Sequence, residues 1–188
     1  MSKLIFITHP EVVVDPDRPI PDWGLNETGR ARAEAFAQSP LLSAVTAIWA
    51  STERKATEAA EILAAPRGLS IATRADLGEN DRSATGFLPR EAFEAAADAF
   101  FADPEESFRG WERAVDAQKR VVTAVTEIVR EHGAGDLAIV AHGAVGTLLW
   151  CHLQGVPIDR QHDQPSQGHY WSADLGDLRP ESGWRAIT

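Results

Sequence analysis

Apolar and polar positions alternate in blocks along the chain, and each block ends on a turn signal. Leu4–Ile7 is a short apolar, partly β-branched run, which predicts a buried strand. It stops at His9-Pro10, where the proline cannot continue a ladder and pushes His9 towards an extended backbone. "LNETGRARAEAFAQS" then predicts an amphipathic helix, with Asn26 or Thr28 available to cap it. "AVTAIWAS" (44–51) predicts a second strand, and "STERKATEAAEILAA" a helix capped by Ser51 or Thr52, with Ala59, Ile62 and Leu63 on one face. "SIATRADLGE" (70–79) reads as a short edge strand entering an irregular segment.

"PREAFEAAADAFFAD" and "FRGWERAVDAQKRVVTAVTEIVREHG" predict two further helices, the second stopped by Gly133. "GDLAIVAH" is the cleanest buried strand, followed by a helix over "GAVGTLLWCHLQG" that Gly155 ends. "GHYWSADLG" and "GWRAIT" read as late strands. Strands that alternate with helices predict an α/β fold. It is a three-layer sandwich with a mostly parallel sheet covered by helices on both faces. With 188 residues and no linker, repeat or low-complexity tract, residues 1–188 read as one domain.

Composition narrows the functional classes. The net charge of −10 argues against a nucleic-acid partner, whose phosphates require Lys and Arg. It leaves room for a small phosphorylated substrate, because a local Arg/His pocket can oppose the global field. No apolar run approaches membrane-spanning length, and "MSKLIFITH" lacks the pattern of a signal peptide, so a cytoplasmic protein without a membrane partner is expected. The one cysteine, Cys151, rules out an intramolecular disulfide and a cysteine-cluster metal site.

The chemistry collects where the strands end. His9 follows the first, Arg54 lies within a helical turn of the second, Glu79 follows the third, and His142 follows "AIVA". Carboxyl ends of parallel strands are where open α/β sheets bind ligands. Arg54 alone reads equally well as a solvated helix residue, Glu79 as a loop charge and each histidine as a turn residue. Their convergence on one sheet edge is what points to chemistry. A neutral imidazole is a good nucleophile towards phosphorus, and non-bridging oxygens need Arg, a second His and helix-terminal N–H groups. A glutamic acid of raised pKa suits protonation of the leaving alkoxide. The set requires no metal and no cofactor.

These residues resemble the histidine phosphatase superfamily, the phosphoglycerate-mutase-like proteins, through nearly the whole chain. "LIFITHPEV" resembles the family's opening strand and its Arg-His-Gly segment, and "LNETGRARAEAFA" its Leu-Thr-x-x-Gly helix. "IWASTERKATEAAEIL" is similar to its Ser-x-x-x-Arg-x-x-x-Thr-Ala segment, aligned on Ser51 and Arg54, and "IVAHGAVGTLL" to its second His-Gly segment. The resemblance implies His9 as the phosphorylated nucleophile, Arg54 and His142 as phosphate ligands, and Glu79 as proton donor.

The chain departs from the family at Thr8, in place of arginine, and at Pro10, in place of glycine. Threonine carries no charge and cannot grip a phosphate bidentately. Thr8 is then one hydrogen-bond donor to the substrate, and Arg18 in "DPDRPIPDW" is either the replacement cation or a surface charge. The loop "DRQHDQPSQGHYW" offers Gln164, Ser166, Gln167 and His169 as polar lid groups, with Gln167 taken as a substrate ligand. His162 and His169 lack the carboxylates of a metal pair. His132, His152 and Cys151 read as helix-end or packing residues, and Trp23 is the tryptophan whose loop should border the active edge.

The sequence therefore predicts a phosphomonoesterase acting through phosphohistidine on a small substrate, of activity reduced by Thr8. A weakened domain that only binds a phosphorylated ligand or a protein, and a phosphomutase, are the alternatives. The short stretch between Glu79 and His142 favours phosphatase over mutase. Nothing in the chain encodes an oligomeric state or names the substrate.

Overall fold

The computed structural model describes residues 2–188. Six strands form one sheet: β1 (Lys3–Thr8), β2 (Val45–Ser51), β3 (Ile71–Arg74), β4 (Asp136–Ala141), β5 (His169–Asp174) and β6 (Arg185–Ala186). Their order is β3-β2-β4-β1-β5-β6. The pairs β2–β3, β2–β4 and β1–β4 are parallel, whereas β5 runs antiparallel to both β1 and β6. Five helices complete the fold: α1 (Glu27–Ala37), α2 (Arg54–Ala64), α3 (Arg90–Ala102), α4 (Ala114–Glu131) and α5 (Gly143–Gln154). The α/β three-layer sandwich expected from the alternating pattern is the fold observed.

The strand period of two divides the core. Leu4 and Phe6 of β1 join Leu137, Ile139 and Trp171 under α3, α4 and α5, while Ile5 and Ile7 join Ala138, Val140 and Ile48 under α1 and α2. Both faces of β1 are thus sealed, which is why its sequence reads as an unbroken apolar run. Phe6 stacks on Trp171 with ring centroids 5.1 Å apart, locking the antiparallel edge onto the parallel core.

Helix ends agree with the sequence in two places and differ in two. Asn26 caps α1 by accepting the Gly29 N–H at 2.8 Å, and Gly155 ends α5 in the left-handed conformation at φ 68°. The N-cap of α2 is Glu53, not Ser51 or Thr52, because Ser51 is still the last residue of β2. Residues 108–113 are not helical. Arg109 and Gly110 take positive φ values of 48° and 86°, a turn that delays α4 to Ala114. Among the described residues, no helix is long and apolar enough to cross a membrane.

One register places the site. Thr8 pairs with Ala141 across β1 and β4, and each is followed immediately by a histidine. The His9 N–H donates to Ala141 O at 3.1 Å, so the two strands leave the sheet side by side.

Candidate active site

His9 is buried, and its Nδ1 lies 2.9 Å from Pro10 O. A carbonyl oxygen only accepts, so Nδ1 carries the proton and the lone pair resides on Nε2. Burial lowers the pKa of His9 to about 4, overriding the opposite pull of the Pro10 carbonyl. The ring is therefore neutral at pH 7. The His142 ring stands 5.2 Å from it, centroid to centroid, at 65°. His142 Nε2 pairs with Ser51 Oγ at 2.8 Å and sits 3.4 Å from Glu53 Oε1, while its Nδ1 is buried without a partner among the described residues. Burial holds His142 well below the ordinary imidazole range.

The cations differ from the sequence expectation. Arg54, the expected phosphate ligand, turns away. Its Nε donates to Glu58 Oε1 at 2.8 Å, its side chain is 54% exposed, and it does not line the cavity that holds His9. The buried cation of this helix start is Lys55, whose Nζ reaches Ile20 O at 2.9 Å and pairs with Glu53. Counting the Ser-x-x-x-Arg spacing from Ser51 lands on position 55, and that count was the signal available in the sequence. One residue along a helix rotates a side chain by about 100°, enough to exchange cavity for solvent.

Arg18 is likewise absent from the cavity; it is 61% exposed, with its Nε 3.2 Å from Asp15 Oδ2. Thr8 is fully buried and committed to the fold. Its hydroxyl donates to Gln164 Oε1 at 2.6 Å and accepts the His169 N–H at 2.9 Å, so it offers nothing to a substrate. Arg82 joins the site with no motif in the sequence to announce it. Its guanidinium lies over the Phe93 and Trp111 rings, 5.1 and 5.7 Å from their centroids, and lines the cavity without a hydrogen bond or ion pair to the described residues. No spacing rule distinguishes it from a surface charge in "ENDRSATG".

Glu79 sits in the irregular segment after β3, but its carboxylate is held at the start of α5. Its carboxylate accepts the Ala144 N–H at 3.2 Å and the Val145 N–H at 3.1 Å. The helix-terminal donors expected to face a phosphate thus hold this carboxyl. Burial nevertheless raises its pKa, against the field of Arg82, and the ionised Glu53 adds to the rise. Glu53 is itself also buried, which pushes its pKa up, but His142 and Lys55 beside it bring the value down to about 2.

His9, Lys55, Glu79 and Arg82 share a cavity of about 650 Å³. Gln164, Ser166 and Gln167 also line it, whereas His169 is buried at the start of β5 and does not. Gly143 lets Gln164 approach, since a Cβ there would lie 2.4 Å from Gln164 Nε2. The described residues contain no cluster of His, Cys, Asp or Glu able to hold a metal ion.

A parallel α/β sheet whose adjacent strands deliver two neighbouring histidines, with a carboxyl of raised pKa beside them, defines a histidine-phosphatase type of domain. The chain belongs to the histidine phosphatase superfamily (branch 1), whose family model matches residues 5–172. No curated protein matches it by sequence. In fold it is similar to a mycobacterial glucosyl-3-phosphoglycerate phosphatase solved with inorganic phosphate, at a TM-score of 0.79 and 22% identity, covering 100% of this chain and 98% of that one. It is also similar to Bacillus stearothermophilus YhfR, at a TM-score of 0.82 and 24% identity over 100% and 98% of the two chains. A phosphoserine phosphatase of Entamoeba histolytica, solved with 3-phosphoglyceric acid, superposes at a TM-score of 0.78 and 16% identity, covering 99% of this chain and 98% of that one.

Proposed function

We propose that the chain hydrolyses phosphomonoesters by passing the phosphoryl group through His9. The observation that carries this reading is the His9 ring itself. Its Nδ1–H is pinned to Pro10 O, its Nε2 lone pair is left unbonded, and the ring faces His142 across one register of the sheet. In the first step Nε2 attacks phosphorus, the P–O ester bond breaks, and Glu79 gives its proton to the departing alcohol oxygen. In the second step water attacks the phosphohistidine, Glu79 takes a proton from it, and the N–P bond breaks to release inorganic phosphate.

Membership of the superfamily and a fold shared with phosphatases support hydrolysis as the reaction class. Lys55 and Arg82 line the cavity and are the groups suited to the equatorial oxygens; His142, whose ring stands 5.2 Å from that of His9 with Nδ1 unpartnered among the described residues, does not itself line it. Lys55 is shared with Glu53, and Thr8 supplies no charge, so the reading includes modest turnover. The test is a burst experiment with a phosphorus-labelled ester, quenched in base, where phosphohistidine survives and serine phosphate does not. Label should appear on His9 and vanish in His9→Asn. Turnover that survives His9→Asn would overturn the mechanism, and an ester bound intact, with neither label on His9 nor phosphate released, would assign a binding domain instead.

A further inference from the structure

The cavity extends well beyond the space a phosphate needs, and its outer part is apolar. Among the described residues four large hydrophobic side chains are exposed: Val13, Val14, Phe87 and Val156. Two of them, Val14 at 56% and Phe87 at 37% exposure, line this cavity, and Val13 is adjacent in sequence. They come from different loops, 9–25 and 80–89, so their meeting at one mouth is not a local accident of composition. His9 and Lys55, by contrast, are buried, which places the phosphate end at the floor and the valine and phenylalanine at the rim.

Trp23 joins the rim to the floor. Its Nε1–H donates to Asp15 O at 2.9 Å and has Arg18 O at 3.2 Å, so the indole is held rigidly by its own loop. Its ring lies 5.9 Å from that of Phe87, and Val12, Ile20 and Leu88 line the same wall. A rigid indole with an aromatic neighbour forms an apolar binding face at little conformational cost. Exposed apolar surface gathered at a cavity mouth marks a ligand-binding surface more often than scattered residues do.

We infer that the alcohol portion of the substrate is hydrophobic, and that Val14, Trp23 and Phe87 form the subsite that receives it. This inference rests on the phosphomonoesterase reading for its orientation, with the phosphate at His9 and the organic group at the rim. The opposite wall offers little to a second anion, because Arg160 is already paired with Glu94 and Asp98. Arg90, exposed at the start of α3, is the remaining rim cation, so a substrate carrying a carboxylate is the rival class.

Non-hydrolysable phosphonates separate the inference from catalysis. Calorimetric titration with methyl-, butyl- and octylphosphonate should show affinity rising with chain length, by up to about fourfold for each methylene that leaves water. Phe87→Ser and, independently, Val14→Ser should flatten that rise; both residues are exposed, so neither change removes core packing. Equal affinity for methyl- and octylphosphonate, or tighter binding of 3-phosphonopropionate than of octylphosphonate that Arg90→Ala abolishes, would overturn the inference. Hydrolysis is read separately, with octyl phosphate on the wild type and His9→Asn. An inert protein that still shows the chain-length dependence keeps the subsite and rejects the catalytic reading. An active protein without it does the reverse.

Discussion

His9 and His142 face each other at 5.2 Å because Thr8 and Ala141 are register partners in parallel strands. Both rings are buried, and burial depresses both pKa values. A histidine whose folded pKa lies below its unfolded value binds fewer protons in the native state. Stability is therefore lost as pH falls below about 6.5, and for His9 the loss continues to about 4. The expected loss from His9 is on the order of 3 kcal/mol across that window. Urea denaturation of wild type and His9→Asn at pH 7 and pH 4.5 measures it. The variant should lose less on acidification, and equal losses would place the titration elsewhere.

Glu79 sets the other limb of the pH profile. Its raised pKa keeps it protonated to higher pH than an exposed glutamate, and turnover should decline as pH rises and that proton is lost. Glu79→Gln should remove this limb and slow alkyl esters by about 10²–10⁴-fold, with a much smaller effect on activated aryl esters. Equal losses for the two ester types would withdraw the proton-donor role.

The neighbouring cations make opposite predictions. Arg54→Ala removes an exposed partner of Glu58 and should leave kcat/KM within about twofold, since exposed ion pairs contribute little. Lys55→Ala removes a buried ammonium from the cavity and should lower kcat/KM by about 10²-fold or more. It also strands the Glu53 carboxylate, so a stability loss of about 3–5 kcal/mol should accompany it. The circular dichroism of each variant separates folding from function. A larger activity loss in Arg54→Ala would restore the pairing of Ser51 with Arg54.

Arg82 has rings beneath its guanidinium and no acceptor among the described residues. A half-buried guanidinium left without acceptors suits an anionic ligand. Arg82→Gln should weaken competitive inhibition by inorganic phosphate by at least about tenfold, and Arg82→Lys should restore charge without the bidentate grip. Unchanged inhibition in Arg82→Gln would remove it from the phosphate end.

Thr8→Arg tests whether the missing family arginine can simply be put back. The site is fully buried, and the hydroxyl bridges Gln164 and the His169 backbone. The larger, charged side chain should destabilise by at least about 2–4 kcal/mol, through overpacking and lost hydrogen bonds. Thr8→Val, which keeps the volume, should cost about 1–3 kcal/mol. A stable Thr8→Arg protein with faster turnover would show that Gln164 yields its place to a guanidinium.

The alternation of elements, and the residues that backbone geometry delivers to the strand ends, are written in the local pattern of the chain. Strand and helix periods differ, so β1, β2 and β4 and the five helices were legible, as were the positions of His9 and Glu79 in the cavity and of His142 beside His9, outside the cavity lining. Which side chain enters the cavity depends on how the folded elements pack. Arg54 and Lys55 are adjacent letters, yet the rotation of α2 against β2 sends one to Glu58 and the other to Glu53. Thr8 reads as a weakened phosphate ligand until Gln164, 156 residues away, is seen to occupy its hydroxyl. Arg82 reads as a loop charge until Phe93 and Trp111 are seen to lie beneath it. Backbone hydrogen bonding is local and periodic, so it leaves a trace in sequence; the direction and partners of a side chain depend on residues brought close only by folding.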